Sequence, residues 1–579
     1  MSPINLDSLP YDSFYEISKY LDDNDLISLS RVNKALRQTL ESEQIARKAV
    51  KNFLLFSKEG QAATNGDSTY RRAMGHRADI HEAIATASPF SVAVLAHADQ
   101  FTYHQGVLCY QVEDQIRLLD VHGSAREERV LNLKQLKETL GQMEPHITTE
   151  DRIRIVHYSE DIVSVKIKGL AHQYLIAIDM QPLTDSFKPE STLRDRIVYF
   201  SQLDVDDFFI RNSRSFIWLG VYHEVHSVGM AWDITATNLD PTQPHEDVCF
   251  VLDAEWAPDW ETDIGSSICF EIFDEHLYVV STSYFGQHDE VHSSFYYWQC
   301  LGPSDSEKKA EGRIWRRKHN EGPVNELWTM FTLERDETTN RPMIVECRRE
   351  WLHGNSENHR SYYVEPLPIP EEAIRAPEEP VPQTWAQDEQ EDPVADDEYD
   401  ERPAKRQRRH EEYEPISDKF ILARTRHRGY HLASSTFLDV VSTHNSSRLL
   451  LRTCPTRKRH YSIAQDHFYT RGVHFWPPED APRALLDIVC PDENSSEVSV
   501  YDDERSIVYS VDCDGHSAIV LISFDPKIRF PTMGSLHKEE PPAPNKVFPV
   551  QVSWPDEFES GVITCPPLYE AINWGYWLR

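Results

Sequence analysis

The sequence predicts an α+β multidomain protein: a small all-α unit followed by a large all-β, propeller-like domain that carries a disordered insert. Three features predict this. Apolar residues recur at helical spacing up to about residue 50, β-branched and aromatic runs begin near residue 88, and a stretch rich in proline and carboxylates occupies 366–418. The length of 579 residues favours about three or four domains, or fewer where one unit is a large β-fold.

Residues 9–50 predict helices because their apolar residues are spaced by three and four. Leu9-Pro10 opens the first helix, since proline is tolerated where no amide donor is needed. Phe14, Ile17 and Leu21 then share one face, and Asn33 is the expected cap of a third helix. Residues 1–50 therefore form the predicted helical unit, and residues 51–87 continue it as a helical linker.

From residue 88 the period changes to that of strands, as in SVAVLA (91–96) and YLIAID (174–179). Many such runs with little helical pattern predict one antiparallel β-domain in two parts, 88–365 and 419–579. Radial repetition is the commonest way to protect so many strand edges, which favours a β-propeller. A pair of stacked sheets is the alternative, because Trp232-Asp233 is the sole Trp-Asp dipeptide and no repeat spacing recurs.

Residues 366–418 contain few β-branched or aromatic residues, so they bury too little surface to offset their ordering entropy. The pattern predicts a disordered acidic insert within the β-domain. It contains a basic cluster that resembles a nuclear import signal, with charge balancing as the alternative. The cluster consists of Lys405, Arg406, Arg408 and Arg409.

Composition excludes several classes of protein. The chain has 95 acidic and 59 basic residues, a formal net charge of -36, which disfavours nucleic acid as a partner. Its nine cysteines form no CxxC pair, which suits a reducing compartment. No apolar run approaches the ~18 residues that span a bilayer, and the first residues do not resemble a secretory signal. We therefore expect an intracellular protein, cytoplasmic or also nuclear, that does not bind membranes.

The run LPYDSFYEISKYLDDNDLISLSRVNKALRQTL (9–40) resembles the F-box. It has the Leu-Pro pair, an acidic residue two positions later, spaced apolar residues, Tyr-Leu, Asp-Leu and a valine followed by a polar residue. Ser13, Ser18, Asp23 and Leu36 depart from the usual pattern. The matching positions are Leu9, Pro10, Asp12, Phe14, Ile17, Tyr20, Leu21, Asp25, Leu26, Leu29, Val32 and Asn33.

The resemblance implies that this unit binds a Skp-type adaptor and, through it, cullin and RING subunits. A helical unit of ~40 residues buries too little surface to be stable alone, so its apolar residues need a cover. That cover is the adaptor or, alternatively, the β-domain itself. The implied adaptor-binding residues are Leu9, Pro10, Phe14, Ile17, Leu21, Leu26, Leu29, Val32 and Asn33.

The family further implies a non-catalytic substrate receptor of a ubiquitin ligase, with no cofactor or metal, whose β-domain binds a target protein that the sequence does not identify. A locally basic region at 424–475 is a candidate for target binding, and a charged strand edge is the alternative. The candidate residues are Arg452, Arg457, Lys458 and Arg459.

Two other functions stay open: a scaffold that binds the adaptor outside a ligase, and a propeller enzyme. The enzyme has little support, because GxSxG, P-loop and GxGxxG motifs are absent. His223-Glu224-Val225-His226 lacks the HExxH spacing that places two histidines on one helical face. An enzyme would instead require carboxylates or histidines from distant segments to face one another.

Overall fold

A computed structural model gives the fold of this chain. It describes residues 6, 9–21, 23–40, 42–123, 127–169, 172–182, 192–203, 205–225, 229–240, 247–252, 264–284, 294–303, 308–317, 329–350, 359–370, 408–411, 423–443, 449–455, 473–489, 498–513, 516–530, 533–536, 561–567 and 575–578. The chain divides into two compact units. Unit 1 comprises Met1–Asp253, Asp336–Asn340 and Glu412–Arg579, and unit 2 comprises Ala254–Arg335 and Arg341–Glu411.

Unit 1 begins with six helices. They are α1 (Tyr11–Ile17), α2 (Asp23–Ser30), α3 (Lys34–Leu40), α4 (Glu43–Phe53), α5 (Lys58–Asn65) and α6 (Tyr70–Ala85). Side chains cap three of these helices, because the amide groups of a first turn have no backbone acceptor within the helix. Asn33 accepts a 2.8 Å hydrogen bond from Leu36 N, and the Ser57 and Thr69 hydroxyls accept from the first turns of α5 and α6. The predicted cap at Asn33 is confirmed.

Five sheets of unit 1 follow the helices, and all but one of their strand pairs are antiparallel. In sheet order, sheet 1 is β2 (Gln100–His104), β3 (Val107–Val112), β4 (Gln115–Asp120), β5 (Glu128–Asn132) and β30 (Val562–Cys565). Sheet 2 is β6 (Arg152–Ser159), β7 (Ile162–Lys168), β8 (Gln173–Asp179) and β9 (Ile197–Gln202). Sheet 3 is β10 (Phe208–Asn212), β11 (Phe216–Val225), β12 (Gly229–Asn238) and β13 (Val248–Leu252).

The other two sheets of unit 1 come from the second part of the β-domain. Sheet 6 is β22 (Ala423–His431), β23 (Thr436–Thr443), β24 (Leu449–Pro455) and β25 (His474–Trp476). Sheet 7 is β26 (Val500–Asp502), β27 (Ser506–Cys513), β28 (His516–Ser523), β1 (Ser91–Ala98), β31 (Gly575–Trp577) and β29 (Gly534–Ser535). Helices α7 (Leu133–Met143) and α8 (Arg483–Val489) pack beside these sheets.

Unit 2 consists of two four-stranded sheets. Sheet 4 is β14 (Ile268–Phe273), β15 (His276–Tyr284), β16 (Ser294–Leu301) and β17 (Lys308–Arg317). Sheet 5 is β18 (Met330–Arg335), β19 (Pro342–Glu350), β20 (His359–Pro366) and β21 (Arg408–Glu411). Between them lies a buried ionic network: Glu346 contacts Arg316 at 2.6 Å, Arg348 at 2.6 Å and the Tyr296 hydroxyl.

Neighbouring sheets pack face to face within each unit. Separate apolar cores join sheets 6 and 7, 7 and 1, 1 and 2, and 2 and 3 in unit 1, and sheets 4 and 5 in unit 2. A sheet covered on both faces has strands that are apolar throughout, which explains runs such as YLIAID in β8. The predicted fold class, a helical unit followed by a large propeller-like all-β region, is confirmed. The structure adds the number of described sheets, five in unit 1 and two in unit 2.

Strand β21 corrects one expectation. It lies inside 366–418, where the sequence predicts a disordered insert, yet Arg408–Glu411 pairs with β20, Tyr363 opposite Arg409. An edge strand supplied with backbone partners needs few apolar side chains of its own, so composition does not reveal it. Lys405, Arg406 and the rest of the insert from 371 to 407 lie outside the described residues, as do the side chains of Arg408 and Arg409.

Two further findings concern general expectations. The cysteines in the described residues, Cys109 and Cys249 among them, are not in disulfide bonds. No helix in the described part of the chain is both long and apolar enough to cross a bilayer.

Candidate protein-interaction site

Exposed apolar side chains concentrate on the first helices. Among the described residues, eight large hydrophobic side chains are exposed, and half of them are Leu6, Tyr11, Tyr20 and Val32. Tyr20 is 88% and Val32 66% exposed. Single exposed apolar residues need no explanation, but several on one small helical unit are typical of a protein-binding surface. We call Leu6, Pro10, Tyr11, Tyr20 and Val32 the exposed helical set.

The predicted adaptor-binding residues divide by burial. Pro10, Val32 and Asn33 are exposed, and Leu9, Ile17, Leu21 and Leu29 are half-buried. Phe14 and Leu26 are buried in the helical core, 2% and 1% exposed, beside Leu36 and Leu40. The expectation that Phe14 and Leu26 need a partner to cover them is wrong, because α3, α4 and α6 already do so.

Helices α5 and α6 connect to the β-sheets through buried charges, the anchor cluster: Glu59, His76, Arg77, Arg505 and Asp525. Arg505 Nη1 lies 2.9 Å from Glu59 Oε1 and 2.7 Å from Asp525 Oδ2. His76 Nε2 lies 2.7 Å from the other Asp525 oxygen. Arg77 pairs with Glu337 in the segment Asp336–Asn340. The cluster therefore ties both helices to residues that flank sheet 7.

The anchor cluster is charged although it is buried. Burial opposes ionisation of Asp525, but the hydrogen bond with His76 and the Arg505 charge outweigh it and hold the pKa of Asp525 far below its usual range. For Glu59 the charges of Arg505, Arg77 and His76 likewise outweigh burial and lower its pKa. Burial would lower the pKa of Arg505, yet Glu59, Glu504 and Asp525 raise it. The ion pairs therefore persist at physiological pH.

A second group of charges lies beside the first. Lys58 Nζ is 2.7 Å from Glu504 Oε1 and 2.8 Å from His122 Nδ1, and His122 Nε2 is 3.0 Å from Asp503 Oδ2. The His122 ring approaches the turn between β2 and β3 so closely that a Cβ at Gly106 would lie 2.3 Å from the ring. Gly106 also has a φ of 91°, so both the lack of space for a Cβ and the backbone conformation favour glycine at this position. Helix α5 is thereby tied to sheet 1.

His431 joins sheet 6 to the same region. Its Nε2 lies 2.9 Å from the Glu504 carbonyl oxygen, and its Nδ1 accepts a hydrogen bond from Ser434 N. Burial, with the nearby Arg77 charge, lowers the pKa of His431 from 6.5 to about 4. The neutral ring thus donates through Nε2 and accepts through Nδ1.

We expect His431 to make the protein acid-sensitive. A depressed pKa contributes stability that is present above pH 6.5 and is lost as the pH falls toward 4, by about 3 kcal/mol at most. Wild type should lose more thermal stability between pH 7 and pH 5 than His431→Gln. In His431→Gln the dependence of thermal stability on pH should be weaker but still present, because burial also lowers the pKa of His157. The matched control, exposed His146→Gln, should keep the wild-type slope; an unchanged slope in His431→Gln contradicts the assignment.

Chemically, both groups resemble sites where carboxylates and histidine converge. Glu59, His76 and Asp525 are close enough to share an ion, as are His122, Asp503 and Glu504. In the first group Arg505 already lies between the two carboxylates, and in the second Lys58 already contacts Glu504 and His122. The arrangement therefore neutralises charge and fixes the helices in place, and this is the chemistry it supports.

Of the four residues predicted to bind a target, the structure describes Arg452 alone. Arg452 is buried, 6% exposed, and pairs with Asp439 on the neighbouring strand, its Nε 3.0 Å from Asp439 Oδ2. Its charge is satisfied inside sheet 6, so the expectation of an exposed target-binding Arg452 is wrong. Arg457, Lys458 and Arg459 lie outside the described residues.

The sequence did not reveal the anchor cluster. The available signal was local: His76 and Arg77 stand on the same helix as Met74, Ile80 and Ile84, all buried. A charged pair amid buried positions indicates a buried partner. The partners Arg505 and Asp525 lie more than 400 positions away along the chain, so no local motif identifies them.

Comparison with known proteins identifies the helices. The family model described as F-box domain matches residues 6–48, the segment that contains the exposed helical set. The chain carries an F-box domain, and an F-box marks an adaptor-binding component of a ubiquitin ligase. None of the curated proteins matches the chain significantly.

Solved structures resemble the chain weakly. A chain of a Saccharomyces cerevisiae complex of variant Dbp5 with Nup159, variant Gle1, IP6 and ADP is 11% identical, with 76% of this chain and 96% of that one covered and a TM-score of 0.26. Apo prolyl oligopeptidase B from Galerina marginata is 10% identical, with 86% and 56% covered and a TM-score of 0.33. The Vanderwaltozyma polyspora Nup133 β-propeller domain is 9% identical, with 71% and 100% covered and a TM-score of 0.25.

Proposed function

We propose that this chain, whose residues 6–48 are an F-box domain, is the substrate-binding subunit of a Skp-cullin-F-box ubiquitin ligase. Its F-box binds the Skp-type adaptor, and its β-domain binds a target protein. The chain itself supplies no catalytic group. It raises the effective concentration of a target lysine near the charged conjugating enzyme, which accelerates transfer by proximity.

One observation carries the adaptor half of the proposal: the exposed apolar side chains that gather on the F-box. Tyr20 and Val32 are the two most exposed large hydrophobic residues in the described chain. Burying one such side chain contributes roughly 1.5–3 kcal/mol. A few of them, with the half-buried Leu9, Ile17 and Leu29, suffice for a stable interface after association costs.

The anchor cluster supports the receptor role. A receptor that works by proximity needs a fixed path from the adaptor to the target, because a loose connection spreads the target over a large volume. Buried ion pairs between helices α5 and α6 and residues beside sheet 7 provide such a connection within unit 1. A scaffold that acts outside a ligase has no equal need for it.

The test is co-purification of adaptor and cullin with the full chain, scored by mass spectrometry. We expect the double substitution Tyr20→Asp, Val32→Asp to reduce adaptor recovery about tenfold or more, since two apolar side chains that the adaptor would bury become charges without partners. Leu9→Ala with Pro10→Ala should weaken recovery in the same direction.

The matched control is Val251→Asp, which introduces the same charge at another exposed valine, 45% exposed. It should recover adaptor as the wild type does, and thermal unfolding should confirm that each variant is folded. Undiminished adaptor recovery by the double variant would contradict the proposed interface. Adaptor recovered without cullin would favour the scaffold.

A further inference from the structure

The first strands of the five sheets of unit 1 lie side by side in the order β22, β26, β2, β6 and β10; we call them the first-strand row. His427 Nε2 on β22 lies 2.9 Å from Asp502 on β26. The rings of Tyr501 on β26 and Phe101 on β2 lie 5.2 Å apart. The Gln100 side chain on β2 bonds the backbone of β6 at Ile153 and Ile155, and β6 contacts β10.

The first-strand row is basic in a strongly acidic protein. Asp502 is its single carboxylate, and it contains no lysine. The whole chain, in contrast, has a net charge of -36. The row's cations are Arg152, Arg154, Arg211, Arg424, Arg426 and Arg428.

Two of these arginines are well exposed. Arg152 and Arg154 alternate along β6 with Ile153 and Ile155, so the isoleucines enter the core while the arginines face solvent. Burial raises the pKa of Tyr501 on β26, and the charge of Arg154 partly offsets this rise. Its charge therefore reaches across β2.

Three carboxylates outside the row, Asp503, Glu504 and Asp206, are already engaged. Asp503 pairs with His122, Glu504 with Lys58 and Asp206 with Lys166 at 3.0 Å. They cancel the charge of residues elsewhere rather than that of Arg152 or Arg154. The positive potential of the row is thus not neutralised by these flanking groups.

The row also offers backbone groups at strand edges, apart from those of Ile153 and Ile155 that Gln100 already bonds. Each of its strands is the end strand of its sheet, with one described neighbour only. End strands present amide and carbonyl groups to an extended chain, while side chains provide specificity.

We propose that the first-strand row binds a segment of the target protein that is rich in Asp and Glu. Arginine's planar fork matches a carboxylate through two parallel hydrogen bonds. The arginines are distributed over three sheets, with three on β22, two on β6 and one on β10, and neighbouring sheets pack about 10 Å apart. Such spacing suits carboxylates distributed along a chain better than one phosphate, which needs donors that converge. The proposal rests on the proposed function only in assigning the segment to a target.

The experiment measures binding of a labelled peptide, alternating Asp and Glu with Gly and Ser, to the full chain by fluorescence anisotropy without adaptor. We expect Arg152→Glu with Arg154→Glu to weaken binding about tenfold or more. The control Arg483→Glu, on α8 with an 85% exposed side chain, should bind within about twofold of wild type.

Three results would overturn the inference. One is equal binding by the double variant and the wild type. Another is equal binding of a peptide with Asn and Gln in place of Asp and Glu. The third is tighter binding of a Gly-Ser peptide with one phosphoserine, which would assign the row to phosphate instead. Because no adaptor is present, none of these outcomes depends on whether the F-box binds one.

Discussion

Arg505→Met should destabilise unit 1 by about 3–5 kcal/mol, because it leaves Glu59 and Asp525 buried without their shared cation. Methionine keeps much of the length of arginine, so packing loss is small. Relative to the wild type, hydrogen exchange should accelerate more in α5 and α6 than in sheet 3, and the denaturation midpoint should fall. Arg483→Met, which breaks an exposed pair with Asp487, should cost less than about 1 kcal/mol.

The same substitution separates docking from adaptor binding. The anchor cluster lies outside residues 6–48, so Arg505→Met should still recover adaptor. In the ligase proposed above, transfer of ubiquitin to a bound target should nevertheless fall, because the target is held less firmly relative to the F-box. Normal stability and unchanged exchange in α5 and α6 would show that the ion pairs contribute little.

Glu346→Ala should destabilise unit 2 by a similar amount, about 3–5 kcal/mol. Glu346 is fully buried between Arg316 and Arg348, and those charges overcome burial to lower its pKa to about 2. Without it, two buried guanidinium groups lose their counterion. Chemical denaturation monitored by hydrogen exchange in sheets 4 and 5 measures the loss.

Two comparisons make this second prediction specific. Glu311→Ala, at an exposed position of β17, should change stability by less than about 1 kcal/mol. The triple variant Glu346→Met, Arg316→Met, Arg348→Met should be more stable than Glu346→Met alone, because three apolar side chains avoid the desolvation cost of buried charges. If the single variant is as stable as the wild type, the network contributes nothing measurable.

The sequence predicted most of what depends on local periodicity. The predicted strand runs SVAVLA and YLIAID are present in β1 (Ser91–Ala98) and β8 (Gln173–Asp179). The three- and four-residue spacing of apolar residues predicted the helices and the cap at Asn33. The sequence does not tell which apolar residues are covered by their own unit, so Phe14 and Leu26 were assigned to the adaptor although they lie in the helical core.

What sequence could not supply depends on partners remote along the chain. Arg452 stands in the run RLLLRTC, and only the register that places Asp439 opposite it shows that its charge is neutralised. Glu59 and Arg505 belong to no motif, and their pairing arises from the return of the chain to sheet 7. Charge alone therefore does not distinguish a surface arginine from a structural one.

Strand β1 has a consequence for synthesis. It follows α6 directly, yet it pairs with β28, Ser91 opposite Ser523, and with β31, Val92 opposite Tyr576. A nascent chain therefore exposes an apolar strand with no partner on either edge until residues 516–523 and 575–577 leave the ribosome. A chain released before that point already contains the complete F-box. Premature termination should thus yield a product that competes for adaptor while it needs chaperones to remain soluble.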